Sequence, residues 1–283
     1  HFLDGITDVA TRFPGRARAD GRYYVVDFTL AEVRSLRMTE PFQLVDGKLV
    51  PVYPARFPLW QSDFKIHTFQ EEIEMIQGLN KSTGKEIGIY PEIKAPWLFR
   101  HEGKDISKAV LTVLKEYGYT GKSDKVYLQS FDVDELKRID TELMPALGMD
   151  LKLVQLMAET DWNETMVYDT KGKATPYDYD WMFKPGAMKT IAGYADGIGP
   201  WKPMIVTEPG TPGKPVFTAM VKEAHAAGLK VHPYTFRQDE GQIPPYAKDF
   251  TDLLNIFLYQ ADVDGVFSDF PDKAVAVIKA HGK

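Results

Sequence analysis

Glu92 and Lys94 stand two residues apart in the run Ile87-Gly88-Ile89-Tyr90-Pro91-Glu92-Ile93-Lys94. On an extended strand, residues i and i+2 share a face, so the carboxylate and the ammonium would point the same way. Such a pair is either a plain ion pair or a hard-metal ligand beside a phosphate-binding cation, and the spacing leaves both open. Other polar and aromatic residues close apolar runs in the same manner: Gln129 and Phe131 in 126–131, Gln155 in 151–157, His232 and Tyr234 in 230–236, and Asp269 after 265–268. The imidazole of His232 titrates near neutrality and suits acid–base work, but a strand-end His before Pro233 is as readily structural. Asp269 reads first as a helix N-cap ahead of Pro271. Trp162, Trp181 and Trp201 fall in irregular stretches, where they either plug a rim or wall a pocket for a glycerol-like or choline-like group.

These residues need elements that bring strand ends together. From about Ile66 onward the chain alternates helix and short apolar strand, with six strand candidates after residue 86. Thr68 to Glu71 is a capping box that opens a helix with Phe69, Ile73 and Ile76 on one face, and Asp132 with Glu135 starts another. Further helices are expected near 105–117, 185–194, 215–227, 248–260 and 271–280. Residues 1–65 read as irregular, apart from the capping box Thr29 to Glu32 and a short strand over Tyr23 to Asp27. The stretch 158–183 also reads as irregular. Strands apolar on both faces and separated by helices imply a parallel sheet, as a doubly wound sheet or a (β/α)8 barrel. Neither a G-x-G-x-x-G after the first strand nor a G-x-x-x-x-G-K-[ST] is present, which favours the barrel. In a barrel the chemistry gathers at the C-terminal ends of the strands, where the residues above lie.

Composition bounds the rest. The chain has 283 residues, 44% hydrophobic and 26% charged, which are ordinary globular values. No run approaches the ~18 apolar residues of a membrane helix. A net charge of −6 argues against a nucleic-acid partner. The chain has no cysteine, which removes thiol catalysis, cysteine-based zinc sites and disulfides.

Several segments together, in order and spacing, resemble the glycerophosphodiester phosphodiesterases. Ile89 to Pro96 resembles the family's E-I-K strand, and His1 to Asp8 the tail of its H-D-x-x-L-D-R-x-T motif. Asp27 to Val33 and Ile66 to Glu71 are similar to its two capped helices, and Gly265 to Pro271 to its closing segment. Tyr179 to Met188 and His232 to Thr235 extend the fit over essentially the whole chain. The likeness is to the periplasmic bacterial branch.

The resemblance implies a TIM-type (β/α)8 barrel that hydrolyses glycerophosphodiesters to glycerol 3-phosphate and an alcohol such as choline. It also implies a divalent metal, most commonly calcium, and a periplasmic setting, with a lipid anchor an open option. Carried over residue by residue, Glu92 is the metal ligand and Lys94 the phosphate partner. Gln129, Phe131, Trp181, His232 and Tyr234 are then the substrate-pocket candidates. His1 aligns with the first x of H-D-x-x-L-D, so the catalytic His is expected upstream of His1, with the H-R and E-x-D motifs further upstream. On this reading residues 1–283 are one barrel domain lacking its first strands, with 9–65 inserted over the mouth. Folded alone, such a chain is expected to be inactive and metal-free. A non-catalytic cell-surface or ligand-binding barrel is the alternative. A two-carboxylate glycosidase using Glu92 and Asp269 is weaker, because Lys94 sits beside Glu92.

Overall fold

In the computed structural model, which describes residues 1–207, 211 and 213–282, the chain packs as two compact units, 1–85 and 86–283. Residues 9–65 belong to the first unit. Its buried cluster is Leu3, Val9, Tyr23 and Leu36. The capping boxes at Thr29 and Thr68 both form, opening helices Leu30–Ser35 and Phe69–Thr83. The expected strand over Tyr23 to Asp27 does not form. Phe2 and Tyr24 make one bridge, and Val25–Asp27 then turns as a 3-10 helix. In its place the unit contains an antiparallel hairpin, β1 (Phe42–Val45) with β2 (Lys48–Pro51). Its turn residues Asp46 and Gly47 both have positive φ, 50° and 74°. That is the backbone a two-residue Asp-Gly hairpin turn requires.

The second unit holds a parallel sheet of β3 (Tyr127–Ser130), β4 (Lys152–Leu156), β7 (Gly197–Gly199) and β8 (Lys230–Val231), side by side in chain order. Parallel pairing extends it at both edges. Residues 89–93 run beside β3 through the bridges Ile89 to Val126 and Glu92 to Gln129. Phe236 pairs with Ser268 beyond β8. Gly88 is needed at the start of the first strand, because a Cβ there would overlap the Lys125 carbonyl oxygen. That oxygen accepts the Ile89 N–H at 2.9 Å.

The six segments therefore lie in sequence order with no reversal, unlike a doubly wound sheet, whose order reverses at a switch point. In a flat sheet, strands about 4.8 Å apart would place the first and sixth roughly 24 Å from each other. Instead the Tyr90 ring on the first lies 4.7 Å from Phe267 on the last. The Tyr90 hydroxyl also meets His232 Nδ1, on the fifth, at 2.8 Å. The sheet is curled into a barrel wall, the one of the two arrangements that the missing nucleotide-binding motifs favour.

Helices follow the strands, among them Pro96–His101, Ile106–Glu116, Val133–Arg138 and Met220–Ala226 between them and Pro271–Ala280 after the last. The stretch 158–183 is not structureless: β5 (Met166–Tyr168) and β6 (Ala174–Pro176) form an antiparallel hairpin within it. No helix among the described residues is long and apolar enough to cross a membrane.

Candidate active site

Strand periodicity divides the interior of the wall into layers. Tyr90, Tyr127 and His232 each precede by two residues another candidate on the same strand face: Glu92, Gln129 and Tyr234. The lower set is a packed aromatic layer. Tyr90 stacks on Tyr127 with centroids 5.0 Å apart, and His232 meets the edges of both at 5.7 and 5.2 Å. Gly265 makes room for the imidazole, since a Cβ there would lie 3.2 Å from His232 Cδ2. Burial depresses the His232 pKa below its ordinary value, with Asp264 opposing the shift and Lys230 adding to it. The upper set opens to a cavity of about 640 Å³ at the C-terminal ends of the strands.

Glu92, Lys94, Gln129, Phe131 and Tyr234 all line that cavity, as does Asp269. Glu92 and Gln129 are bridge partners on neighbouring strands. The Gln129 side chain is buried, and its Oε1 has no hydrogen-bond partner among the described residues. Lys94 Nζ donates to Glu92 Oε1 at 2.9 Å. The chain then turns sharply at Ala95, with φ 48° and ψ 47°, into helix Pro96–His101. Phe131 stands edge-on to Tyr234 at 6.0 Å, and the Tyr234 hydroxyl donates to the Met157 carbonyl at 2.6 Å.

Two of the pocket candidates lie elsewhere. His232 is absent from the cavity wall because it belongs to the layer below. Trp181, in the 3-10 turn Asp180–Phe183, donates its indole N–H to the Tyr177 hydroxyl at 3.1 Å. The tryptophans that do line the cavity are Trp162 and Trp201, which meet edge to face at 5.2 Å and 79°. Gln155 is also structural: its Oε1 accepts from the buried Tyr194 hydroxyl at 3.0 Å. Asp269 does not cap the last helix. It pairs instead with Arg237, Nε to Oδ2 at 2.8 Å.

Three charged residues of the cavity wall are not singled out by the sequence: Arg237, paired with Asp269 as above, and Lys202 and Glu164. Lys202 lines the cavity although only 7% exposed, with its ammonium 5.3 Å from the Phe236 ring centroid. Its position directly after a strand-end Trp-containing segment, 200–201, was the available signal. Glu164 follows Asn163, which takes a left-handed turn at φ 58°. Desolvation raises the Glu164 carboxyl above its ordinary value, with Lys94 opposing and Glu92 adding to the rise.

A curled parallel α/β wall with an acid, a cation and an amide at its C-terminal strand ends is that of a TIM-barrel-type enzyme, whose chemistry sits at that end. The profile of the glycerophosphoryl diester phosphodiesterase family matches residues 1–273, and the chain belongs to that family. It is 57% identical over 280 residues to a glycerophosphodiester phosphodiesterase of Haemophilus influenzae, covering 99% of this chain and 76% of the relative. A Treponema pallidum protein of the same name is 46% identical over 276 residues, 97% of this chain and 77% of the relative. The fold is similar to a crystal structure described as a glycerophosphoryl diester phosphodiesterase from Silicibacter pomeroyi. That match has a TM-score of 0.61 at 18% identity, over 100% of this chain and 77% of that one.

Proposed function

We propose that the protein hydrolyses glycerophosphodiesters to glycerol 3-phosphate and the free alcohol in the cavity lined by Glu92, Lys94 and Gln129. The observation that carries this reading is the Glu92–Lys94 pair at the strand ends, in a chain 57% identical to a glycerophosphodiester phosphodiesterase. Hydrolysis builds negative charge on the phosphoryl oxygens. A preorganised ammonium beside that position lowers the barrier because it need not reorganise as the charge appears. Glu92 holds Lys94 in place, and the buried Gln129 carboxamide offers a polar contact at the cavity floor.

Calcium at Glu92 is part of the proposal on the strength of the family resemblance. Glu92 and the Gln129 amide oxygen have the hard-donor chemistry calcium takes, but calcium takes about six to eight oxygens. Among the described residues, no three Asp, Glu or His side chains are grouped to hold a metal. These residues do not by themselves make a metal site, and no step is derived through one. A periplasmic location is proposed on the same resemblance and fits a chain without cysteine. Osmotic-shock fractionation checks it.

The test of the activity is release of glycerol 3-phosphate from glycerophosphocholine by the full-length protein, read with a coupled dehydrogenase. Turnover that falls in EDTA and returns with calcium supports the reading in full. Turnover indifferent to chelation removes the metal, and no release from any glycerophosphodiester overturns the function.

A further inference from the structure

Between β4 and the 3-10 turn Asp180–Phe183 the chain makes an excursion that places Trp162 and Glu164 on the cavity wall and continues into the β5–β6 hairpin. Among residues 161–178 only Thr165 is buried, and neither hairpin strand buries a residue. A two-stranded hairpin is marginal on its own, and a segment with so little burial lies at the low end of local stability. The two ends of the excursion meet at a narrow neck. The Thr160 hydroxyl accepts the Tyr179 N–H at 3.0 Å and donates to Asp180 Oδ1 at 3.0 Å. The fully buried Tyr179 roots the neck in the barrel, its hydroxyl donating to the Phe131 carbonyl at 3.1 Å.

Away from the neck, the excursion is held by helix Pro96–His101, which the Ala95 turn joins directly to Lys94. Trp97 and His101 stand one turn apart on that helix and so share a face. The Trp97 indole N–H donates to the Glu164 carbonyl at 3.0 Å. Its ring lies 6.1 Å from Tyr168, and His101 stacks flat on the same tyrosine at 4.0 Å and 4°. Behind this clasp lies a second cavity of about 330 Å³, lined by Arg100, Asp132 and Thr165 as well as by the clasp itself. Close-packed interiors are rigid, whereas a segment clasped over open space can lift without breaking a core. We propose that residues 161–178 form a lid on the substrate cavity, held shut by Trp97, His101 and Tyr168 and hinged at the neck. Lifting the lid takes Trp162 and Glu164 off the cavity wall, which admits substrate and releases products. This inference rests on the hydrolytic reading above and adds a gate to that site.

The experiment uses the full-length protein carrying His101→Cys and Tyr168→Cys, which puts two thiols where the stacked rings stand. This chain contributes no other cysteine. A short bis-methanethiosulfonate joins the two thiols through disulfides and locks the lid shut, and reductant frees it again. In the linked form kcat for glycerophosphocholine should fall by on the order of tenfold or more and return on reduction, because turnover needs the lid to move. Linked and reduced enzyme are one preparation, so the fraction correctly folded cancels. A second measurement needs no turnover: amide hydrogen exchange across 161–178 should be several-fold faster in Tyr168→Ala than in the parent, with β4 and β7 unchanged. Equal kcat in the linked and reduced forms overturns the lid while the hydrolase stands. So does exchange across 161–178 that keeps the parent's rate or rises equally in β4 and β7. A parent that cleaves no glycerophosphodiester overturns the hydrolytic reading. In that case, or where the double variant is inactive in both forms, the exchange result alone decides the lid.

Discussion

The Lys94 ammonium lies 2.9 Å from Oε1 of Glu92, two residues back on the same strand face. Lys94 is more than half exposed, and exposed ion pairs contribute only about 0.2–1 kcal/mol to stability. The pair is therefore not there to hold the barrel together. Lys94→Ala and Glu92→Gln should leave thermal stability within about 1 kcal/mol of the parent. Each should lower kcat/KM for glycerophosphocholine by roughly 10²-fold or more, the usual cost of one preorganised electrostatic contact. Thermal unfolding beside the coupled assay separates the two effects, and a variant that loses stability and activity in proportion would make the pair structural.

Gln129 should show the opposite trade. Its Oε1 is buried without a partner, and an unsatisfied buried acceptor costs about 1–3 kcal/mol. A buried acceptor left unsatisfied at the floor of this cavity is placed to meet what enters it. Gln129→Leu removes the unsatisfied oxygen at similar volume. It is expected to hold or raise the urea midpoint while lowering kcat/KM several-fold. A fall in stability with unchanged activity would show that the amide serves packing.

Much of this arrangement is legible in the residues themselves. The alternation of apolar strands and capped helices after residue 86 describes the parallel sheet, and the two-residue spacing of Glu92 and Lys94 puts them on one face. What the spacing does not contain is depth. His232 and Tyr234 share a face, yet one is packed in the layer of Tyr90 and Tyr127 while the other walls the cavity. Which layer a strand residue reaches depends on the stagger between neighbouring strands, a property of the closed sheet. The same gap explains the choice of Trp181 over Trp162 and Trp201, since loop aromatics carry no period that says where the loop lies. The hairpin at Asp46-Gly47 is different: its Asp-Gly turn signal stands in the sequence, masked by a surrounding stretch rich in Gly and Pro.

Arg100 ties the helix after Lys94 to the helix after β3. It bonds Glu135 and, at 3.1 Å, Asp132, and these carboxylates are only 1% and 3% exposed. Arg138 also holds Glu135, at 2.6 Å, so loss of Arg100 strands Asp132 above all. Breaking a buried pair from one side costs about 3–5 kcal/mol, because the remaining charge is left uncompensated. Arg100→Leu is expected to lose about 3 kcal/mol in urea unfolding at neutral pH. Desolvation already raises the Asp132 pKa, with Arg100 opposing, so removing Arg100 raises it further. The penalty is then present above that raised pKa and is relieved as protonation neutralises the group. The deficit of the variant should narrow as the pH is lowered, and a deficit constant with pH would mean that the loss is one of packing.

His232 gives the protein an acid sensitivity of its own. Its folded-state pKa lies below the ordinary histidine value, chiefly through burial, and its Nδ1 meets the Tyr90 hydroxyl at 2.8 Å. Asp264 favours the charged imidazole and Lys230 disfavours it, both weaker than the loss of solvent. Between the folded and unfolded pKa values the unfolded chain binds the extra proton, so stability rises with pH through that window. The contribution is complete above the unfolded pKa and is lost as the pH falls from there toward the folded one. Its slope cannot exceed about 1.4 kcal/mol per pH unit for one proton. Urea midpoints measured from pH 7.5 down to 5 should therefore fall more steeply for the parent than for His232→Gln, which cannot titrate. Parallel curves would show that the imidazole takes up its proton as readily in the folded barrel as in the unfolded chain.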